Sequence, residues 1–385
     1  MSEADVIVVG LGSMGSQALW RLARRGVRAV GFDRFRPPHA LGSHHGGSRI
    51  IRTAYYEAPD YVPLAGRSFE LWRELAAESG RDLLTMTGGL NIGPPGSPEF
   101  AGALLSAQQH GLEHEVLDAE AMRLRFPQHS LAEGERALLE HDAGFVRPEE
   151  CISAALQRAT ALGAGVHLDS GVTGIEARGD AVVVHAGGRR WRARRAIVAA
   201  GAWNSALGVP GLDLPFRVVR QSQAWFRALR PELHHPSVAP VFVRNIGHGG
   251  HPGTDFAYGF PSIDGQTVKV GVAEDHGTVD PDTLDRTPQP ADSKAVSDFV
   301  RRTIPSLDPE PVSVAVCLQE FSPDHHFVVG PLPAAPAIVA LMGFSGHGFK
   351  FASAIGEAAV GFALDGGTDL PVAHLAAERF ERVQS

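Results

Sequence analysis

Cysteine is nearly absent from this sequence, with only Cys151 and Cys317 in 385 residues. Two thiols so far apart give no disulfide framework and fit a reducing compartment. No apolar run approaches the roughly 20 residues that a membrane span needs. An excess of positive charge is missing too. There are 35 Lys and Arg against 43 Asp and Glu, a net charge of −8. That balance offers no general basic face for nucleic acid or an anionic membrane. The opening MSEADVIVVG has no basic segment ahead of an apolar stretch and cleavage site, so no signal peptide is expected. HExxH and CxxC patterns are absent. The adjacent pairs His44–His45, His234–His235 and His325–His326 do not converge naturally on one ion. His248 and His251 have no cysteine nearby, so no metal site is expected. The expectation is a soluble cytoplasmic protein, long enough for a large core and two domains.

What is present begins at once. Val6 to Val9 is a continuous apolar run, the pattern of a parallel strand buried on both faces. Gly10, Gly12 and Gly15 follow as GxGxxG, and Ala18, Leu19, Leu22 and Ala23 recur at helical spacing. Gly26 stops that helix, and Val27 to Phe32 forms a second strand ending in Asp33. In such a βαβ unit Gly10 allows the tight turn, Gly12 admits a pyrophosphate, and Gly15 lets helix and strand pack closely. The helix N-terminus offers free N–H groups to phosphate, and Asp33 can accept ribose hydroxyls. The motif alone does not separate FAD from NAD. Its place at the extreme N-terminus leans toward FAD.

Amphipathic or capped patterns predict helices over 63–77, 98–110, 119–125, 148–162, 293–303 and 351–364. Strands are expected over 83–92, 166–168, 172–177, 181–186, 195–200, 312–321 and 338–342. Residues 216–275 alternate in the manner of an antiparallel sheet, a suitable wall for a substrate pocket. The fold class is α/β (α+β overall). A Rossmann-like dinucleotide domain is expected over 1–82, 140–214 and 321–385. A second, mainly antiparallel domain takes 83–139 and 215–320.

The segment GSHHGGSRIIRTAYY, residues 42–56, gathers cations without a single acid until Glu57. If SRIIRTAYY is helical, Ser48 caps it and Arg49 and Arg52 share a face. GFSGHGFKF is a second Gly-rich turn, presenting His347 and Lys350. Lys269 alternates with Val268 and Val270, which alone suggests a solvated face. Cys317, within VSVAVCLQEF, reads on its own as a small core hydrophobe, and Cys151 as a buried helix residue.

Taken together, VIVVGLGSMG, PPHALGSHHGGSRIIRTAYYE, VPLAGRSFELW, AYGFPS, VKVGV, CLQEFSPDHHFVVG and GFSGHGFKFAS resemble the monomeric sarcosine oxidase and N-methyltryptophan oxidase family over nearly the whole chain. The resemblance implies FAD held by a cysteine thioether, here at Cys317, against the reading of that residue alone. It implies oxidation of a secondary or N-methyl amino acid, hydrolysis of the resulting imine, and reduction of O2 to hydrogen peroxide. Arg52 and Lys350 would hold the substrate carboxylate, Tyr258 would line the pocket, and Lys269 would promote reaction with O2. Arg49 would lie close to the flavin, with Ser43, His44, His45, Val172, Gly346 and His347 also expected around the cofactor. A monomer is expected. Ala273 and Gln319 stand where sarcosine oxidase has histidine and tyrosine, so a cyclic or glycated amino acid is an alternative substrate. A flavin-binding protein without oxidase turnover is the rival from another class, and an NAD-dependent dehydrogenase would leave Cys317 and the arginine pair unexplained.

Overall fold

The computed structural model describes residues 2–209, 211, 214–247, 256–274 and 277–383. Most of the Gly- and His-rich loop 245–255, including His248 and His251, lies outside them.

Two sheets organise the chain. The first runs Gly165–His167, Ala29–Phe32, Val6–Val9, Arg195–Val198, Ala335–Met342, Val328–Leu332. It is parallel except for the last pair. The apolar run Val6–Val9 is buried throughout because both faces are covered. Val6 and Val8 join the core beneath the helices Ser13–Arg24, Pro148–Ala161 and Ala352–Asp365. Ile7 and Val9 join a second core against the small sheet that contains Val172–Arg178 and Ala181–Ala186.

Gly15 makes the helix–strand packing possible. A Cβ there would overlap the Gly10 carbonyl oxygen and press on Val8. Gly15→Ala is therefore expected to destabilise the protein by at least about 1–3 kcal/mol, the usual cost of overpacking. A thermal melt within a degree of the parent would show that the turn yields at no cost.

The second sheet has eight strands, in the order Leu307–Phe321, Arg217–Ala228, Thr267–Val272, Phe256–Gly259, Val241–Asn245, Gly89–Gly93, Arg136–Glu140, His114–Leu117. Its pairs are antiparallel except Val241–Asn245 with Gly89–Gly93. Alternation sorts its residues between two faces. Ala224, Phe226, Val268 and Val270 pack on the helix Ala291–Thr303. Gln221, Gln223, Lys269 and Cys317 point the other way, Gln221 opposite Cys317.

Two expected elements differ. The strand foreseen over 83–92 is split into Leu84–Met86 and Gly89–Gly93, in different sheets, with Gly88 between them at φ +73°. SRIIRTAYY is not a helix. Arg49–Arg52 is a strand paired antiparallel with Ala143–Val146. Three residues apart on a strand means opposite faces, so Arg49 and Arg52 do not stand side by side.

Candidate active site

A cavity of about 360 Å³ lies where the C-terminal ends of the parallel strands meet the polar face of the large sheet. At one end, Gly10 takes φ +86° and its missing side chain clears Ala199 O. Gly12 lines the cavity, and a Cβ there would meet nothing but the His44 ring, at 3.6 Å. No side chain caps the helix Ser13–Arg24 at Gly12, so its first N–H groups face the cavity mouth without a side-chain acceptor. Asp33 accepts from Leu11 N–H at 2.7 Å and Phe35 N–H at 2.8 Å. Burial still pushes its carboxyl upward. Val172 also lines this end. A turn, a phosphate-facing helix end and an acid beyond the second strand fit the ADP half of a dinucleotide.

The middle of the cavity is built from the 42–49 segment and the large sheet. Arg49 donates to the carbonyl oxygens of Ser43, His45 and Ser48, each at 2.7 Å. Its charge is thus held by backbone rather than by an acid. Glu149 reaches the same segment, accepting from Gly46 N–H at 2.7 Å. Burial drops His44 to about 3 and His45 to about 4, with Arg49 adding to both. Both rings are therefore neutral at pH 7. Lys269 is 3% exposed, so the solvated-face reading fails. It donates to Gly46 O at 2.9 Å and Ser48 O at 2.6 Å and lies 4.2 Å from the centre of the Phe260 ring. Burial, then Arg49, pushes its ammonium well below the usual lysine range.

Cys317 opens onto the cavity, its Sγ 3.7 Å from Gln223 Nε2. Burial raises the thiol, against the pull of Arg49. Beside it, Gln223, a lining residue, has its Oε1 among the buried side-chain atoms without a hydrogen-bond partner. Such atoms are rare and costly unless something polar meets them. A flat heterocycle carrying donors and acceptors fits these residues. Cys151, by contrast, is fully buried under the helices, its thiol raised by burial.

At the far end Arg52 turns away from Arg49. It is 4% exposed and sandwiched between the rings of Tyr55 and Tyr56, at 4.4 and 4.3 Å. It donates to Ala54 O at 3.0 Å and to Glu57 at 2.7 Å. Burial opposes the Arg52 charge, and Glu57 more than offsets it. Burial likewise works against the Glu57 carboxylate, but Arg52, His347 and Lys350 hold it below the usual range. Glu57 was the acid the charge pattern appeared to leave outside the cluster. Lys350 donates to His347 O at 2.9 Å and lies 5.1 Å from the Tyr55 ring. Burial and Arg52 lower it to about 7. His347 is hydrogen-bonded to Tyr55 and to His325 O, and burial lowers it to about 4. Gly346, at φ +80°, sits against the Gln319 carboxamide.

Tyr258 completes the wall between Phe256 and Phe260, its hydroxyl pushed up to about 12 by burial. Its ring lies against Gly271, where any side chain would collide with it. Every expected site residue except Gly15, His45 and Lys269 lines the cavity directly. Gly15 packs against the turn, and Lys269 is bonded to the 46–48 backbone. Sequence reasoning passed over Gln223, Glu57, Tyr56 and Gly271. Of these only Glu57 carried a signal, as the first acid after a long cationic stretch.

Residues 5–361 match the family model described as FAD dependent oxidoreductase. The chain is 41% identical over 377 residues to a monomeric sarcosine oxidase of Streptomyces avermitilis, covering 96% of this chain and 95% of that one. It is 35% identical to an N-methyl-L-tryptophan oxidase of Salmonella arizonae, covering 94% and 95%. Among solved structures it resembles NikD, an unusual amino acid oxidase essential for nikkomycin biosynthesis, with TM-score 0.84 at 24% identity over 98% of both chains. It also resembles an L-proline dehydrogenase from P. horikoshii, with TM-score 0.85 at 21% identity over 99% of both. These two likenesses bear on the fold.

Proposed function

Because this chain belongs to the FAD-dependent oxidoreductases, we propose that it oxidises the C–N bond of a secondary or N-methyl amino acid, with O2 as electron acceptor and hydrogen peroxide as product. The observation that carries this reading is the buried cation pair, Arg52 and Lys350, at the end of the same cavity that Cys317 borders. Two buried cations around one tyrosine ring suit a carboxylate, which they grip with charge-assisted hydrogen bonds. Tyr258, Tyr56 and Phe256 form an aromatic wall for the rest of the molecule and keep water out. A dry site strengthens every electrostatic contact within it.

FAD, when bound, supplies the two-electron chemistry. The chain supplies position and field. Gly10, Gly12, the helix end and Asp33 would hold the ADP half, with Val172 beside it. Ser43, His44, His45, Arg49, Gly346 and His347 would surround the ring system. We assign the cofactor-holding role to 1–82, 140–214 and 321–385, and the substrate wall to 83–139 and 215–320. Among the described residues no helix is long and apolar enough to cross a membrane. A monomer working in the cytoplasm suits the small-molecule substrate.

Screening N-methyl, cyclic and glycated amino acids for peroxide release tests the activity. Silence with every carboxylate-bearing amine would overturn the oxidase reading. We further assign Cys317 Sγ as a covalent anchor for the flavin. Acid-precipitated protein is then expected to give a yellow pellet, and Cys317→Ser a colourless one with flavin in the supernatant. A colourless pellet from flavin-loaded parent protein would remove the covalent link while leaving the oxidase intact.

A further inference from the structure

We propose that Gln223 is a positioning residue for Cys317: its carboxamide nitrogen holds Sγ and donates to the thiolate, the form of the sulfur that would bond to the flavin. The proposal rests on the covalent-anchor reading above. Gln223 and Cys317 lie on adjacent antiparallel strands, Arg217–Ala228 and Leu307–Phe321. In their register Gln221 stands opposite Cys317, and Gln223 opposite Ala315. Gln223 is thus the diagonal neighbour of the cysteine on the shared face, a separation that a long side chain spans. The directly opposed Gln221 is turned to another partner, its Nε2 donating to Glu274 O. Gln223 Nε2 meets Sγ at 3.7 Å and donates to His45 O at 3.4 Å. A carbonyl oxygen only accepts, so the His45 contact fixes which end of the amide faces the sulfur.

Gly46, at φ +106°, completes the seat. A Cβ there would come within 2.5 Å of Gln223 Oε1. The amide therefore packs against a bare Cα, in a cavity-lining side chain that is 2% exposed. Oε1 is left without a hydrogen-bond partner, an uncommon and costly state for a buried oxygen. Turned over, the amide would set that oxygen against the His45 carbonyl and take the N–H away from the sulfur.

The charges around Sγ do not replace this donor. Arg49 donates to the carbonyls of Ser43, His45 and Ser48, and Lys269 to those of Gly46 and Ser48. On the flanking strand Arg220 is paired with Asp292. Glu149 accepts from Gly46 and Gly47 N–H. Burial leaves His45 and Tyr258 neutral at pH 7, the first lowered to about 4 and the second raised to about 12. Among the described residues the one hydrogen bond to Sγ comes from Gln223. Burial pushes the thiol up, and Arg49, Gln223 and Lys269 pull against it.

The thiolate is the nucleophile. Forming the thioether joins Sγ to a ring methyl carbon of the flavin. It releases the thiol proton and one proton of that methyl group, and leaves two electrons on the ring system. O2 takes up both electrons and both protons as hydrogen peroxide. An N–H aimed at Sγ supports the first of these losses, at the thiol.

The test uses flavin-free, full-length protein from riboflavin-starved cells, with Gln223→Met and Gln223→Glu beside the parent. Both substitutions keep the volume and remove the N–H. Alkylation of Cys317 by iodoacetamide is followed against pH, and peptide mass identifies the modified cysteine. The limb is expected to move up by about one to two pH units in Gln223→Met, the scale of one hydrogen bond to a charged group. It should move further in Gln223→Glu, where a carboxylate faces the thiolate. FAD is then added, and the flavin retained in acid-precipitated protein is timed. Attachment at pH 8 is expected to slow at least about threefold in both variants. The thiolate population falls by more, but a more basic thiolate is the better nucleophile. General loosening of the wall would change the rates and leave the limb where it is. A limb that stays in place in both variants, while the parent becomes covalently yellow, overturns the proposal and leaves the anchor reading intact. Attachment at the parent rate in both variants overturns it as well. If the parent binds FAD and never attaches it, the anchor reading itself fails and this role goes with it.

Discussion

Lys269→Met slows reoxidation of the reduced enzyme by O2 about 10²–10³-fold, the usual cost of losing one preorganised electrostatic contact in a dry site. Flavin reduction by substrate changes by less than about threefold, because Lys269 stands away from the carboxylate-binding end. The reason lies in the environment of its amine. It is buried, repelled by Arg49, and satisfied by two backbone carbonyls and an aromatic face. Its positive charge is disfavoured until negative charge develops nearby, which is the ground for assigning it to the proposed step that moves electrons to O2. Rapid mixing separates the two half-reactions. A purely structural role makes a different forecast. Methionine leaves the Gly46 and Ser48 carbonyls unpaired, costing about 1–3 kcal/mol each and loosening the segment that carries His45 and Arg49. That change would slow both half-reactions together and lower the melting temperature. Equal slowing of both would remove Lys269 from the oxygen reaction.

The parts legible in the sequence were those decided by near neighbours. The βαβ unit was readable because Gly10, Gly12, Gly15 and Asp33 each answer a local demand, and the tight turn at Gly10 and the close packing at Gly15 are met in the structure as read. The burial of Val6–Val9 followed from an unbroken apolar run. The failures came where distant chain decides. SRIIRTAYY carries a cap residue and cations at helical spacing, yet Ala143–Val146 offers it a ladder and draws it into a sheet. That pairing reverses the relation between the two arginines. Arg49 is held by three carbonyls of its own segment, and Arg52 is paired with Glu57 at the other end of the cavity. Lys269 looked like a solvated residue because alternation shows that two faces exist and not what covers them. The second face is covered by the 42–49 segment, more than two hundred residues earlier. The cavity is a product of two sheets meeting, so Gln223 had no local signature at all.

Arg52→Gln is expected to lower kcat/KM for a carboxylate-bearing amine about 10²–10³-fold. Truncating one partner of a buried, hydrogen-bonded charge pair costs 2–5 kcal/mol, and about 1.4 kcal/mol is tenfold. Part of that cost appears without substrate, because Glu57 loses the guanidinium that holds it ionised. Lys350 makes the same site pH-dependent. Its ammonium, lowered to about 7, grips a carboxylate fully below that pH and loses it as pH rises. The limb is read from the Ki of a carboxylate inhibitor without an amine, which keeps substrate deprotonation out of the profile. Arg52 depresses Lys350 and Glu57 supports it. Arg52→Gln should therefore move the limb to higher pH, although binding is weaker throughout. Glu57→Gln should move it lower, because the unopposed Arg52 repels the ammonium more strongly. Opposite shifts from two neutralising substitutions are hard to obtain from general loosening of the site. A limb that stays in place in both variants would take Lys350 out of carboxylate binding and leave Arg52 to hold the substrate alone.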